Sequence, residues 1–335
     1  MTDLTSNMLA ESEIELKRQI SRLDEANTEP FKEMLSYHMG WTGEGAGREA
    51  TGKRIRPLLL LLTIASCGGD WMKAVPAAAA VELIHNFSLV HDDIQDNSLK
   101  RRGRPTVWVN WGAPLAINVG DALFALSNLS MMDLANSFPS EQVISASTAL
   151  QRTCLDLTRG QYLDMSFENR EDVKVDDYWA MVTGKTASLL SSSCLIGAIL
   201  GNADNPTQEA YRSFGHFLGL AFQIQDDILG IWGDENVTGK STASDLIERK
   251  KSLPVLVGLS KKGKFAEIWK NEQITIANVE EIARILAQES SYAYAHDAAK
   301  QMTDLAINSL READPQGEAG DSLMELTDKL LRRDA

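Results

Sequence analysis

A chain of 335 residues, 44% of them hydrophobic, holds enough apolar material for one large core or two ordinary domains. Its formal net charge of −14, with a sequence pI near 4.9, excludes a broad basic footprint for nucleic acid, so an anionic ligand must be held by local cations or by metal. Cys67, Cys154 and Cys194 are far apart and share no C-x-x-C spacing, which excludes a disulfide framework and a zinc site and points to a reducing, cytoplasmic setting.

The N-terminus has no basic start with an apolar signal core, and the run Leu58 to Ala65 is too short to cross a bilayer, so no transmembrane segment is expected. From Ile14 to Leu35 apolar residues recur at helical spacing, with a break near residues 27–30. Trp41 to Gly52 reads as a flexible loop. Helix-length segments rich in Ala and Leu follow at 57–66, 74–98, 114–136, 141–166, 174–200, 207–231 and 277–312. Residues 232–252 read as a mobile loop and 313–321 as a polar surface loop. Strand-length alternation is scarce, and neither a linker nor a short repeat divides the chain. The expectation is an all-α fold in a single domain over 1–335, with about 1–50 as variable N-terminal helices and loop.

The first chemical motif is His91-Asp92-Asp93-Ile94-Gln95-Asp96. On a helix, Asp92 and Asp96 share one face roughly 6 Å apart, a spacing at which two carboxylates repel unless a hard cation bridges them. The bland alternative is an exposed acidic helix end. Arg101, Arg102 and Arg104 follow and can grip phosphate oxygens, or else neutralise the aspartates in a surface network. His85, two turns before Asp92, can reach a second phosphate, while His91 reads as a core residue.

A second motif, Gln223 to Asp227, lies on an apolar helical stripe, with Asp226 the better ligand candidate. Its i+4 neighbour is Gly230, so the carboxylate pairing of the first motif is absent; Asp234 is a candidate to compensate from the loop. The remaining cations are Lys53, Arg56, Lys185, Lys240 and the run Arg249-Lys250-Lys251, each by itself an ordinary solvated charge. Gly184-Lys185-Thr186 and Gly239-Lys240-Ser241 lack the glycine five residues earlier that a P-loop needs, which removes an ATPase reading.

Taken in order, Gly52 to Pro57, Glu82 to His85, Asp92 to Asp96, Arg101-Arg102-Gly103, Gly160-Gln161 with Asp164, Lys185-Thr186, and Phe222-Gln223 with Asp226-Asp227 resemble the trans-isoprenyl diphosphate synthases, a match covering roughly residues 50–255. The resemblance implies an isoprenoid-synthase helical bundle around a deep central cavity, usually a homodimer, with 232–252 as an active-site loop. It implies three magnesium ions, with Asp92 and Asp96 binding two, Asp226 the third, and Asp93, Gln161, Asp164 and Asp227 in support. Arg101, Lys185 and Lys240 would hold an allylic diphosphate, and Lys53, Arg56, His85 and Arg102 would hold isopentenyl diphosphate. Thr186 and Gln223 would aim oxygen dipoles at a carbocation.

Phe87, five residues before Asp92, would form the floor that sets product length, although helical phase alone puts Ser88 more directly beneath Asp92. That implies a C20 product, with C15 next. Gly230 departs from the family pattern, which has an aspartate there, and restoring it is expected to keep activity or raise magnesium affinity. The competing readings are a terpene cyclase on the same fold, which needs no isopentenyl diphosphate site, and a non-catalytic subunit of a heteromeric synthase.

Overall fold

The computed structural model of the protein describes residues 3–25, 27–233 and 243–331. In chain order the α-helices are α1 (Asp3–Ile20), α2 (Glu29–His38), α3 (Arg48–Thr51), α4 (Ile55–Ser66), α5 (Val75–Gln95), α6 (Val107–Trp111), α7 (Ala113–Asp133), α8 (Ser140–Glu168) and α9 (Val175–Val182). There follow α10 (Ser188–Leu200), α11 (Asn205–Trp232), α12 (Ser244–Ile247), α13 (Leu253–Lys261), α14 (Lys264–Asn271), α15 (Val279–Gln288), α16 (Ser291–Glu312) and α17 (Gly317–Leu331). The chain is 79% helical, as an all-α fold requires. One short hairpin, β1 (Lys100–Arg101) with β2 (Arg104–Pro105), was not expected from the sequence, since two-residue strands carry no alternation to detect.

Other departures from the sequence reading have local causes. Segment 174–200 is interrupted by a π-turn at Thr183–Ala187, and segment 277–312 breaks at Ser290, whose φ is +67°. The expected surface loop at 313–321 already contains the start of α17, with Ala319 buried. The loop Trp41 to Gly52 ends in the helical turn α3.

Residue packing divides the chain into two compact units. The first comprises Met1–Cys154, Ser192–Tyr211 and Ala313–Leu323, the second Leu155–Ser191, Arg212–Glu312 and Met324–Ala335. In the first, α5 is the central helix. Proline in its first turn needs no donor there, and the run Ala77 to Ala80 is fully buried because small side chains let neighbouring helices come close. Helix α7 lies against it, with the hydroxyls of Ser127 and Ser130 donating to the carbonyls of Ala80 and Pro76 at 2.9 and 2.7 Å. His91, read from the sequence as a core residue, is only partly buried, its ring lying against Gly120 of α7, where a Cβ would come within 2.2 Å of it, and 3.8 Å from the exposed Asp121. By length and composition Ala113–Asn136 could cross a membrane, but α7 buries Ala116, Val119, Leu123 and Leu126 in the core of this unit. The second unit has two apolar clusters, one around Tyr178, Ile224 and Leu256, the other around Phe265, Ile282 and Leu286.

Candidate active site

In the first unit α5 ends at Gln95, with Asp96 as its C-cap, so the first acidic motif occupies the last helical turn. The Asp96 amide donates to the Asp92 carbonyl at 2.8 Å, which holds the i, i+4 relation expected from the sequence. Asp92 is half-buried, Asp96 exposed and Asp93 buried. A helix C-terminus carries partial negative charge, so two carboxylates placed there are repelled by the backbone as well as by each other. Such an arrangement can hold a cation, and oxygen-only donors suit magnesium. Among the described residues no three His, Cys, Asp or Glu side chains are grouped closely enough to hold an ion by themselves. Magnesium fits such a partial site, because it keeps waters and takes phosphate oxygens to complete its shell.

Asp93 points inward and receives the Arg101 guanidinium at 2.8 Å. Burial pushes its carboxyl up from the ordinary carboxylate range, and Arg101 offsets part of that. Arg101 therefore ties β1 to the acidic motif. Arg102, at the hairpin turn, donates to the Ala50 carbonyl at 2.7 Å, and Gly52 has no side chain because a Cβ there would meet the Arg102 guanidinium at 2.6 Å.

A cluster of under-neutralised cations lies beside this hairpin. The Nε of Arg56 is buried without a hydrogen-bond partner among the described residues. Burial lowers the pKa of Arg56, and Arg102 lowers it further; Glu82 opposes both. His85 falls well below its usual value, first through burial and then through Arg56, Arg102, Arg101 and Arg54. Burial, then Arg101, Arg102 and Arg54, push His38 down to about 3. Excess positive charge with an orphaned donor is what an anion would relieve. Lys53 is exposed at the start of this segment.

Two residues here escaped the sequence reading as site residues. Arg54, in the left-handed conformation with φ +47°, sits between Lys53 and Arg56 and is buried against Glu82 at 2.8 Å and Glu13 at 3.2 Å. Its pKa is raised: burial lowers it, and Glu82 and Glu13 outweigh that. The motif Gly52 to Pro57 was visible in the sequence, but nothing in it separates a cation that binds ligand from one that ties the backbone down. His38 carried no signal at all.

In the second unit Asp226 and Asp227 sit in the last turns of α11, again at a negative helix end. Asp226 is exposed; Asp227 is 1% exposed. Asp227 accepts from the Tyr178 hydroxyl at 2.7 Å, the Leu253 amide at 3.1 Å and the Gln223 amide nitrogen at 2.9 Å. Thr186 donates to the Gln223 carbonyl oxygen at 2.8 Å, so these two expected partners do meet. Lys185, on the π-turn, donates to Asp164 at 2.5 Å. Gly160 makes the approach possible, since a Cβ there would fall 2.1 Å from the Lys185 amide nitrogen. Gln161, next to it on α8, is half-buried.

Lys250 lies 3.6 Å from Asp227 and 3.5 Å from Asp245. Burial lowers its pKa, but Asp227, Asp245, Asp164 and Asp226 raise it by more. The charge run Arg249-Lys250-Lys251 hid this lysine, since a run of cations reads as solvated. Lys240 and Asp234 lie outside the described residues.

Gly230 has a spatial reason that spacing alone cannot supply. A Cβ added there would come within 2.6 Å of the Asp245 carboxyl carbon, so the place of an i+4 aspartate is already taken by a carboxylate from α12. Gly230→Asp therefore has to displace Asp245 from Lys250 rather than simply add a ligand. The expected cost is about 1–3 kcal/mol in metal-free urea unfolding. Gly230→Ala, which crowds without adding charge, should cost less; an Asp variant as stable as the unmodified chain would show that Asp245 swings aside freely.

The sequence model of the polyprenyl synthetase family matches residues 47–286. A geranylgeranyl diphosphate synthase of Mycobacterium tuberculosis is 43% identical over 79% of this chain and 75% of its own length. A (2E,6E)-farnesyl diphosphate synthase of Mycobacterium tuberculosis is also 43% identical, over 72% of this chain and 65% of its own length. The crystal structure of a polyprenyl synthetase from Streptomyces coelicolor A3(2) superposes with a TM-score of 0.86 at 34% identity, covering 97% of this chain and 98% of that one. The match takes in the Gly52 to Pro57 segment, both acidic motifs and the helices that carry them, and the chain belongs to the polyprenyl synthetase family.

Proposed function

We propose that this protein condenses isopentenyl diphosphate with an allylic diphosphate, lengthening the prenyl chain by one five-carbon unit per cycle. The reaction class is that of the short-chain trans-prenyltransferases, the class to which its relatives named above belong. The observation that carries the substrate assignment is the pair of arginines Arg56 and Arg102 beside a neutral His85, with the orphaned Arg56 Nε, next to a carboxylate motif suited to metal. Isopentenyl diphosphate is a polyanionic diphosphate head on a small apolar body and needs no metal to be held by such a group, with Lys53 as its exposed partner.

Asp92 and Asp96 would hold two magnesium ions and Asp226 a third, with Arg101, Lys185 and Lys240 on the allylic diphosphate. Magnesium bound there acts as a Lewis acid that stabilises charge on the departing diphosphate. Asp93, held by Arg101, keeps the end of α5 in place, and Asp227, held by Tyr178 and Gln223, does the same for α11. The cation formed from the allylic chain is attacked by the alkene of isopentenyl diphosphate, and the Thr186 and Gln223 oxygens lower its energy electrostatically. The released diphosphate takes the proton, so no protein general base is required.

One incubation tests the reading: purified protein, magnesium, isopentenyl diphosphate and each allylic primer in turn, with products separated by chain length. Elongated prenyl diphosphate is the expected result. Cyclic or hydrolysed allylic product that ignores isopentenyl diphosphate would mean a terpene cyclase, and no turnover with any primer a non-catalytic subunit.

For product length the reading is C20, with C15 next; relatives at equal identity carry both names, so identity cannot decide it. Support comes from Phe87, whose ring packs against Phe124 of α7 at 5.3 Å and His91 at 4.9 Å, while the Ser88 hydroxyl turns back onto the His85 carbonyl at 2.8 Å. Phe87→Ala is expected to lengthen the products beyond those of the unmodified enzyme. An unchanged chromatographic profile would remove Phe87 as the floor.

A homodimer is supported by α7, whose half opposite the buried one exposes Leu115, Ile117, Leu129 and Met132. The three free cysteines support a reducing, cytoplasmic setting.

A further inference from the structure

The three arginines of the hairpin have separate tasks. Arg101 binds Asp93 and Arg102 reaches Ala50, but Arg104 makes no ion pair with any described carboxylate. It is 8% exposed, and its guanidinium donates to three backbone carbonyls: Nε to Glu44 at 2.9 Å, Nη1 to Tyr37 at 3.0 Å and Nη2 to Thr42 at 2.6 Å. The same guanidinium lies over the Tyr37 ring, 4.0 Å from its centroid. Tyr37 answers by donating its hydroxyl to the Pro105 carbonyl at 2.8 Å, so helix α2 and the hairpin hold each other. By sequence Arg104 is a candidate either for phosphate oxygens or for neutralising the aspartates; its donors are committed to the backbone instead.

What Arg104 grips is a glycine-rich segment whose own order is the single helical turn α3 and a few backbone hydrogen bonds, such as that from the Gly47 N–H to the Gly40 carbonyl at 3.1 Å. Gly40, Gly43, Gly45, Gly47 and Gly52 all have positive φ, a conformation in which glycine is favoured and in which the unfolded chain has most freedom to lose. Immediately after this segment come Lys53, Arg54 and Arg56. The Arg104 grip on residues 37, 42 and 44 and the Arg102 grip on residue 50 hold the segment at both ends, from either side of Gly103.

We infer that Arg104 is a positioning residue for isopentenyl diphosphate: through the glycine-rich segment 40–52 it fixes where Lys53 and Arg56 stand, without touching either substrate. The inference rests on the substrate assignment above. A guanidinium suits the task because its planar fork of donors reaches three carbonyls at once, whereas a lysine offers one point charge. Loss of the grip returns backbone freedom to the segment and weakens isopentenyl diphosphate, while Asp92 and Asp96 on α5 and Lys185 in the second unit keep their places and Arg101 stays tied to Asp93.

The test uses the full chain as Arg104→Met and Arg104→Lys, with folding checked by circular dichroism. Both kinetic constants are measured for each substrate, and isopentenyl diphosphate alone is titrated by calorimetry in the presence of chelator. Arg104→Met is expected to raise the KM and Kd for isopentenyl diphosphate about tenfold or more, a difference of about 1.4 kcal/mol. Arg104→Lys should recover only a small part of this, and kcat and the allylic KM should stay within about twofold. Should the Met variant not fold, the Lys variant, which keeps the charge, decides. An unchanged Kd in a folded Arg104→Lys, or equal rises in both KM values, overturns the inference alone. Failure of the unmodified chain to bind isopentenyl diphosphate overturns the substrate assignment and the inference with it.

Discussion

Asp92→Ala and Asp96→Ala are each expected to reduce turnover by at least about 10³-fold, a loss of about 4 kcal/mol of transition-state stabilisation. Either change removes one of the two carboxylates that the last turn of α5 presents together, and with it the means of holding a divalent cation against the diphosphate. The same substitutions should leave the metal-free protein as stable as before, or more stable by about 0.3–1 kcal/mol, because each relieves repulsion at a negative helix end. Opposite movements of activity and stability distinguish a ligand from a structural aspartate. The measurements are initial rates at limiting magnesium and urea unfolding in chelator. A variant that keeps nearly full activity, or one that loses activity only by unfolding, would remove the residue from the metal site.

The second large effect is expected at Arg54 and Glu82. Their side chains are 5% and 3% exposed, so removing either leaves the other buried with too little compensation. Arg54→Ala should cost about 3–5 kcal/mol, a large part of the 5–15 kcal/mol that a domain has in all. Glu82→Ala is expected to cost less, since Glu13 remains at 3.2 Å to share the guanidinium. The double variant Arg54→Met with Glu82→Leu should recover most of the loss, since no isolated charge is then left inside. A double-mutant cycle by urea unfolding checks this. Additive losses would mean that the pair is not coupled. In the folded Arg54→Ala fraction the affinity for isopentenyl diphosphate should also fall, because Arg54 lies between Lys53 and Arg56 and fixes their backbone.

The sequence disclosed the parts of this protein that obey a period or a motif. Helices α4, α5, α7 and α11 follow their apolar spacing, and the i, i+4 relation of Asp92 and Asp96 is the one the helix delivers. It could not disclose which charges are internal. Lys250 stands in a run of cations and Arg104 in a run of arginines, so both look solvated until the fold brings Asp227 and Asp245 to one and three carbonyls to the other. Gly230 is the same case seen from the other side. Its neighbour in sequence suggests a missing ligand, whereas its neighbour in space, Asp245, is fifteen residues away along the chain. The glycine-rich stretch before Lys53 looks loose for a similar reason: composition reports its intrinsic freedom, not the arginine that removes it.

The π-turn at Thr183–Ala187 has a consequence for register. Such a turn takes in one residue more than the α-helix around it, so the helical wheel before it is out of step with the wheel after it by about 100°. Side chains on the two sides, Tyr178 toward Asp227 on one and Ser191 toward the Arg212 carbonyl on the other, are brought into step by that offset. The segment that carries Lys185 and Thr186 is thus also a phase adjuster. A straight α-helix of the same length would turn one of those two contacts away from its partner by about 100°, whereas deleting one residue would let the helix run straight with both flanks still in step.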